Sequence, residues 1–178
     1  MKIDIDKLEF KKINDNIYQI FNDKNILKFW TPIMCIPFGI DNEYGKKILR
    51  LALNTESTNK YMNQHIHLRK VILHIEKLIK KKLNIDDEEF KSIIRTKENK
   101  SDIVECRLKT YKDNIITQIE YEDKNNNYLK GIYDLAKMSY IKAEIEINGL
   151  WDYRNHETKS NNKVGLTVYV TKIIVMDT

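Results

Sequence analysis

In residues 140–149, YIKAEIEING, the apolar side chains Ile141, Ala143, Ile145 and Ile147 fall on every second position, with Tyr140, Lys142, Glu144 and Glu146 between them. A period of two marks an extended strand with one buried and one wetted face, because successive side chains of a strand leave opposite sides of the sheet. Residues 164–175, VGLTVYVTKIIV, repeat the pattern, with Val164, Leu166, Val168 and Val170 set against Thr167, Tyr169 and Thr171. Two long strands of this kind cannot leave their apolar faces in water. They call for a sheet folded around a core.

The other segments supply the rest of that sheet. NILKFWTPIMCIPFGI (25–40) is rich in β-branched and aromatic residues, and its two prolines put it at an edge or give it a bend. After the turn DNEYG, KKILRLAL (46–53) alternates Leu49, Leu51 and Leu53 with Ile48, Arg50 and Ala52, which makes a first antiparallel pair. From Asn59 to about Leu83 the period changes. Tyr61, Leu68, Ile72, Ile75 and Ile79 recur at helical spacing, with Val71 and Leu78 widening the stripe. Asn84 closes this amphipathic helix as a C-cap, and DDEEFKSII restarts as a short helix with its acids in the first turn. IVECRLKT (103–110) and NIITQIEYE (114–122) flank YKDN and read as a hairpin. DKNNN is a surface loop, and YLKGIYDLAKM a single helical or irregular turn. The expected class is α+β: five or six strands in a small antiparallel barrel or sheet, with the long helix inserted after the first strand pair.

A chain of 178 residues can bury a core without metals or cross-links. Its formal charge is +5, and the excess sits in one place: Lys60 to Lys82 holds seven cations and only Glu76 against them. Such a balance favours a polyanionic partner. Cys35 and Cys106 lie in apolar, strand-like surroundings and read as free thiols of a reducing compartment. No apolar run reaches the roughly 18 to 20 residues of a membrane-spanning helix, and MKIDIDKLEF lacks a signal-peptide core. The expected protein is soluble, intracellular and independent of membranes.

Catalytic and metal chemistry find little support. His65 and His67 diverge on a helix, and His67 and His74 share a face without a third ligand; His156 has no acidic or cysteine partner at ligand spacing. No phosphate-binding glycine loop, nucleophile elbow or zinc-protease helix is present. Glu144 and Glu146 beside Lys142 form an ordinary charge ladder on a strand, and a small nuclease built on that pair is the weakest rival. Aromatic and basic residues, in contrast, interleave along the strands. Trp30, Tyr111, Tyr121, Trp151, Tyr153 and Tyr169 alternate with Arg50, Arg107, Lys109, Lys112, Lys142, Arg154, Lys163 and Lys172. Single-strand binders use this mixture, since every base offers a face for stacking and cations track phosphates without reading sequence. Trp30 and Trp151 serve equally as core residues or as stacking platforms, whereas Tyr153 and Tyr169 belong to polar positions.

TPIMCIPFGI, LRLAL, the helix containing LHIEKLI, and IKAEIEINGLWDY followed by KVGLTVYVTKIIV together resemble the single-stranded DNA-binding proteins of large nucleocytoplasmic DNA viruses. That family is similar in architecture to the phage T7-type single-stranded DNA-binding protein. The anchors are Pro32, Pro37-Phe38-Gly39, Gly149, Trp151 and Gly165. The resemblance implies a five-stranded oligonucleotide-binding (OB) barrel over residues 25–178, behind an N-terminal extension, 1–24. It implies a non-enzymatic protein that coats transient single strands in viral replication, recombination or repair, in host cytoplasm or nucleus. Replication proteins and a second copy of the chain are further partners of such proteins. Phage-type members recruit polymerase and helicase through an acidic tail, whereas IIVMDT carries one Asp.

The candidate contacts are Arg50, Arg107, Lys109, Lys112, Lys142, Arg154, Lys163 and Lys172 for phosphates, and Tyr111, Trp151, Tyr153 and Tyr169 for bases. No catalytic group, metal or cofactor is expected. By parity with Ile141 to Ile147, Trp151 turns inward as a core anchor unless Gly149 introduces a bulge. A basic lip of Tyr153, Arg154, Lys159, Lys163 and Tyr169 lies beside it. An RNA-binding or protein-interaction OB module is the alternative, because nothing here reads a 2′-hydroxyl.

Overall fold

The computed structural model describes residues 5–177 except 97, 99, 124, 126, 131–134, 158–160 and 162. The chain opens with a hairpin of β1 (Leu8–Asn14) and β2 (Ile17–Asn22), followed by β3 (Leu27–Trp30) and β4 (Met34–Ile36). β5 (Ile40–Glu43) and β6 (Lys46–Leu53) form a second hairpin before the helix α1 (Met62–Leu83). Two short strands, β7 (Phe90–Lys91) and β8 (Ile94–Arg95), lead to β9 (Asp102–Leu108). A small hairpin, β10 (Thr110–Tyr111) and β11 (Asn114–Ile115), precedes β12 (Gln118–Glu122) and β13 (Tyr128–Lys130). The long strands β14 (Ser139–Asp152) and β15 (Val164–Val175) end the fold.

Five of these close a barrel. β4 pairs with β6, β6 with β9, β9 with β15, β15 with β14, and β14 returns to β4. The ring is mixed rather than antiparallel: β9 and β15 run parallel through Arg107–Tyr169 and Leu108–Val170. An odd number of strands imposes this, because directions that alternate around a closed ring of five must repeat once. β7 and β12 also join β15 in parallel, so β7, β9 and β12 succeed one another along its free edge.

The first barrel strand is broken at Pro32, which cannot donate to a ladder. Thr31 repairs the gap: its N–H donates to the Ala143 carbonyl at 2.8 Å, and its hydroxyl accepts the Ala143 N–H at 3.0 Å. β3 and β4 thereby both stay on β14. Inside the barrel, Ile141, Ala143, Ile145, Ile147, Leu49 and Leu51 are fully buried. Leu68, Ile72, Ile75 and Ile79 of α1 pack into the same core, as do Leu8 and Ile20 of the first hairpin, whose β2 pairs with β14.

α1 begins at Met62, three residues after the start of its sequence period, and ends on Asn84 in the left-handed conformation. His65 clasps its start. Its Nδ1 accepts the Asn54 N–H at 3.0 Å and its Nε2 lies 2.8 Å from the Ile33 carbonyl. The buried Glu76 carboxylate accepts the Ile93 N–H at 2.8 Å and the Ser92 hydroxyl at 3.0 Å.

Three local expectations are corrected. DDEEFKSII is a turn followed by β7 and β8, not a helix, because the Glu89 carbonyl accepts the N–H groups of both Lys163 and Val164 and Phe90 is buried beside Val164. The hairpin of 103–122 is confined to β10 and β11, whose turn residues Lys112 and Asp113 both have positive φ. Beyond it Thr117 wedges the chain apart, accepting from Lys109 N–H at 2.9 Å and donating to Val170 O at 2.8 Å, so β12 leaves β9 for β15. Residues 128–130, read as a turn, are the strand β13 on β12. Cys35 and Cys106 are free, and burial pushes both thiols up. Among the described residues no helix is long and apolar enough to cross a membrane.

Candidate nucleic-acid interface

The β14–β15 register slips between Ile147 and Gly149, leaving Asn148 as an extra residue. Such a bulge exchanges the two faces of the strand beyond it. Leu150 therefore takes the inward position at 1 % exposure, and Trp151 turns to the outer surface. Parity alone makes Trp151 a core anchor; the bulge overturns that. Its indole, half-buried, packs against Gly165, where an added Cβ would sit only 2.2 Å from Cζ2 and 2.6 Å from Cε2. Tyr153 follows with ring centroids 6.1 Å away, and His156 stands edge-on to Tyr153 at 5.9 Å.

Trp151 lines one wall of a small groove of about 120 Å³ whose other walls include Lys91, Arg95, Glu105, Arg107 and Thr167. β9, β15 and the short strands β7 and β8 bring them together. Arg107 stands next to Tyr169 across the parallel pair. Lys109 lies 6.0 Å over the Tyr169 ring and 3.3 Å from Glu146. Arg95 pairs with Glu105 at 2.9 Å, whereas among the described residues Lys91 and Arg107 form no ion pair, Lys91 feeling only the more distant Glu43 carboxylate. At the tip of the β10–β11 hairpin Tyr111 is 64 % exposed with the Lys112 ammonium 5.5 Å above its ring.

No family model matches the sequence, and no curated protein is significantly similar to it. Solved structures are. The single-stranded DNA-binding protein encoded by bacteriophage T7 superposes with a TM-score of 0.53 at 6 % identity, over 85 % of this chain and 87 % of that one. The C-terminally truncated single-stranded DNA-binding protein of bacteriophage Enc34 superposes with a TM-score of 0.50 at 12 % identity, over 97 % and 96 %. The fold is the OB-like barrel of these phage proteins.

OB barrels generally lay oligonucleotides over their second and third strands, between the loops that join strands one to two and four to five. In this OB-like barrel those strands are β6 and β9, and Trp151 and Tyr153 stand at the root of the loop between β14 and β15. Arg50 lies on the same face but is spoken for: Asp41, Glu43 and Glu105 surround its guanidinium, and the side chain is 13 % exposed. Arg154 forks onto Asp152, with Nη2 2.7 Å from Oδ2, and reaches the Asn84 carbonyl at 3.3 Å, tying the lip to the end of α1. Burial opposes ionisation of Asp152, but Arg154 outweighs it and holds the carboxyl below its ordinary value. Lys172 is paired with Glu120 at 2.8 Å. Lys163 is half-buried, with its backbone bridging Glu89 and Tyr153. Lys142 is on another part of the surface, beside Trp30. Lys159 lies outside the described residues.

Lys91 and Arg95 are the groove cations that sequence reasoning missed, because DDEEFKSII was read as a helix and Arg95 opens the polar stretch after it. Phe90, Ile93 and Ile94 stand at helical spacing, so the local pattern carried no strand signal. The two strand carboxylates are each occupied by their own partners. Glu144 faces Lys28 at 2.9 Å and Thr171 at 2.6 Å; Glu146 faces Lys109 and the Asn148 amide at 2.7 Å. Among the described residues no group of three or more His, Cys, Asp or Glu could hold a metal ion.

Proposed function

We propose that this chain binds single-stranded DNA with little sequence preference and carries out no catalysis. The observation that supports it best is the half-buried Trp151 ring packed over Gly165 beside Lys91 and Arg107, two cations with no carboxylate at ion-pair distance among the described residues, on the face that OB barrels use. Trp151, Tyr153, Tyr169 and Tyr111 would stack bases, each worth roughly 1 to 3 kcal/mol. Arg107, Lys91, Lys109 and Lys112 would neutralise phosphates. The structurally similar phage proteins bind single-stranded DNA, by their descriptions. That parallel favours a role in replication of a viral genome, with recombination or repair as further uses of the same coat, at replication sites in host cytoplasm or nucleus. Descent from large DNA viruses, the barrel unit 25–178, contacts with replication proteins and self-association belong to the same proposal.

Titration of labelled oligo-dT at several salt concentrations tests it. Log Kobs should fall against log salt with a slope of about −0.7 per phosphate neutralised. Absence of salt-dependent binding to oligo-dT would end the proposal. Tight oligo-U binding with weak oligo-dT binding would transfer the function to RNA, and binding to neither would leave a protein-interaction module.

A further inference from the structure

Across β14 from the groove, Trp30 ends β3 with 42 % of its surface exposed, an unusual cost for the largest apolar side chain. It does not stand alone. An open cleft of about 530 Å³ separates it from the start of α1, with Phe29, Pro32, Gln64, His67 and Lys142 among the lining residues. That volume is in the range that small ligands occupy. Lys142 has no carboxylate partner, and the Gln64 and His67 side chains have no hydrogen-bond partner, among the described residues. The nearest carboxylate across the ladder, Glu144, is matched by Lys28 and Thr171 and leaves little uncompensated negative charge beside the cleft. An exposed indole beside an ammonium, an amide and an imidazole that have no partners among the described residues is what a nucleotide demands: a face to stack on, a cation for phosphate and donors for base edges.

The cleft is connected to the groove by the register of the sheet. Arg107, Tyr169, Glu146 and Lys28 form one row across β9, β15, β14 and β3, and Trp30 stands two residues along β3 from Lys28. Strand spacing and rise put Tyr169 and Trp30 roughly 12 Å apart. One single strand can reach both. We propose that the Trp30 cleft is a second nucleobase site, in which Trp30 stacks a base and Lys142 holds its phosphate, so that bound DNA wraps from the groove over β14 towards α1. This inference rests on the single-stranded DNA reading above.

The chain has two tryptophans, so Trp151→Phe leaves Trp30 as the sole indole reporter. Oligo-dT of increasing length is titrated into this variant, with anisotropy of the labelled DNA and Trp30 emission recorded together. Emission should be quenched only by oligomers long enough to span groove and cleft. Trp30→Ala should weaken binding of long oligomers roughly five- to hundred-fold and leave short ones unaffected. Lys142→Ala should reduce the salt slope for long oligomers by about 0.7. If anisotropy reports binding while Trp30 emission stays constant at every length and Trp30→Ala binds like the parent, the cleft is no nucleobase site, and the groove stands. If the anisotropy of the labelled DNA changes at no length with the unsubstituted chain either, the DNA reading itself fails and the cleft falls with it.

Discussion

Replacing Gly165 with Ala probes the surface that carries the functional proposal. Gly165 pairs with Trp151 on one side and Lys91 on the other, so its backbone is held on both edges. The glycine is there for space rather than for an unusual dihedral, since its φ is not positive. A methyl group placed 2.2 Å, 2.6 Å and 3.0 Å from three atoms of the indole lies well inside the 3.5 to 4.0 Å at which carbon atoms rest. The ring must therefore retreat by roughly 1.5 Å or lift away from β15. Overpacking of this kind costs about 1 to 3 kcal/mol, which for a chain of this size lowers Tm by roughly 2 to 10 °C. Displacing the platform should also weaken oligo-dT binding by the stacking of about one base, roughly five- to hundred-fold. The test is a double-mutant cycle with Trp151→Ala, read by thermal melting and by titration. Trp151→Ala alone should lose most of the affinity with a smaller loss of stability, and adding Gly165→Ala to it should change little. Coupling of about 1 kcal/mol or more is expected. If Gly165→Ala leaves Tm and affinity unchanged, or if the two effects simply add, the indole does not rest on Gly165 and the interface is built otherwise.

Three further outcomes are expected. Arg107→Ala should lower the salt slope of oligo-dT binding by about 0.7 with little change in Tm, whereas Arg50→Ala should lower Tm because Asp41, Glu43 and Glu105 lose their shared partner. Burial pushes the Glu76 carboxyl up, against the hydrogen bonds from Ile93 and Ser92. The folded chain then holds this proton at pH values where the unfolded chain has released it, so its contribution is complete below the ordinary carboxylate range and declines as pH rises through the folded value. Glu76→Gln, which retains an acceptor for Ile93, should remove that decline; urea melts of both proteins across the acidic range would show it, and parallel pH profiles would refute it. His65→Leu should cost about 1 to 3 kcal/mol in the same melts by stranding the Asn54 N–H and the Ile33 carbonyl, and a neutral effect would deny His65 its clasping role.

Much of the local structure was legible in the chain. Alternation at 141–147 and 164–170 marked strands whose inward residues are buried, and the period from Asn59 to about Leu83 with Asn84 behind it marked the helix, which starts three residues later, and its left-handed cap. The candidate cations were less legible. Arg50 and Arg107 look alike on neighbouring strands, yet one is enclosed by three carboxylates and the other forms no ion pair among the described residues. Two of those carboxylates come from β5 and one from β9, so no window around Arg50 contains the whole set.

The sequence by itself determined the strand and helix periods, the cationic excess and the supply of aromatic rings, because each depends on residues a few positions apart or on composition. Only the tertiary structure decided the parallel closure of β9 on β15, the exit of β12 at Thr117, the capture of 89–91 by β15 and the turning of Trp151 outward. The physical reason is common to all four. Each is set by hydrogen bonds between segments far apart in the chain, and a single extra residue, Asn148, is enough to exchange the faces of a strand whose alternation had up to that point been regular.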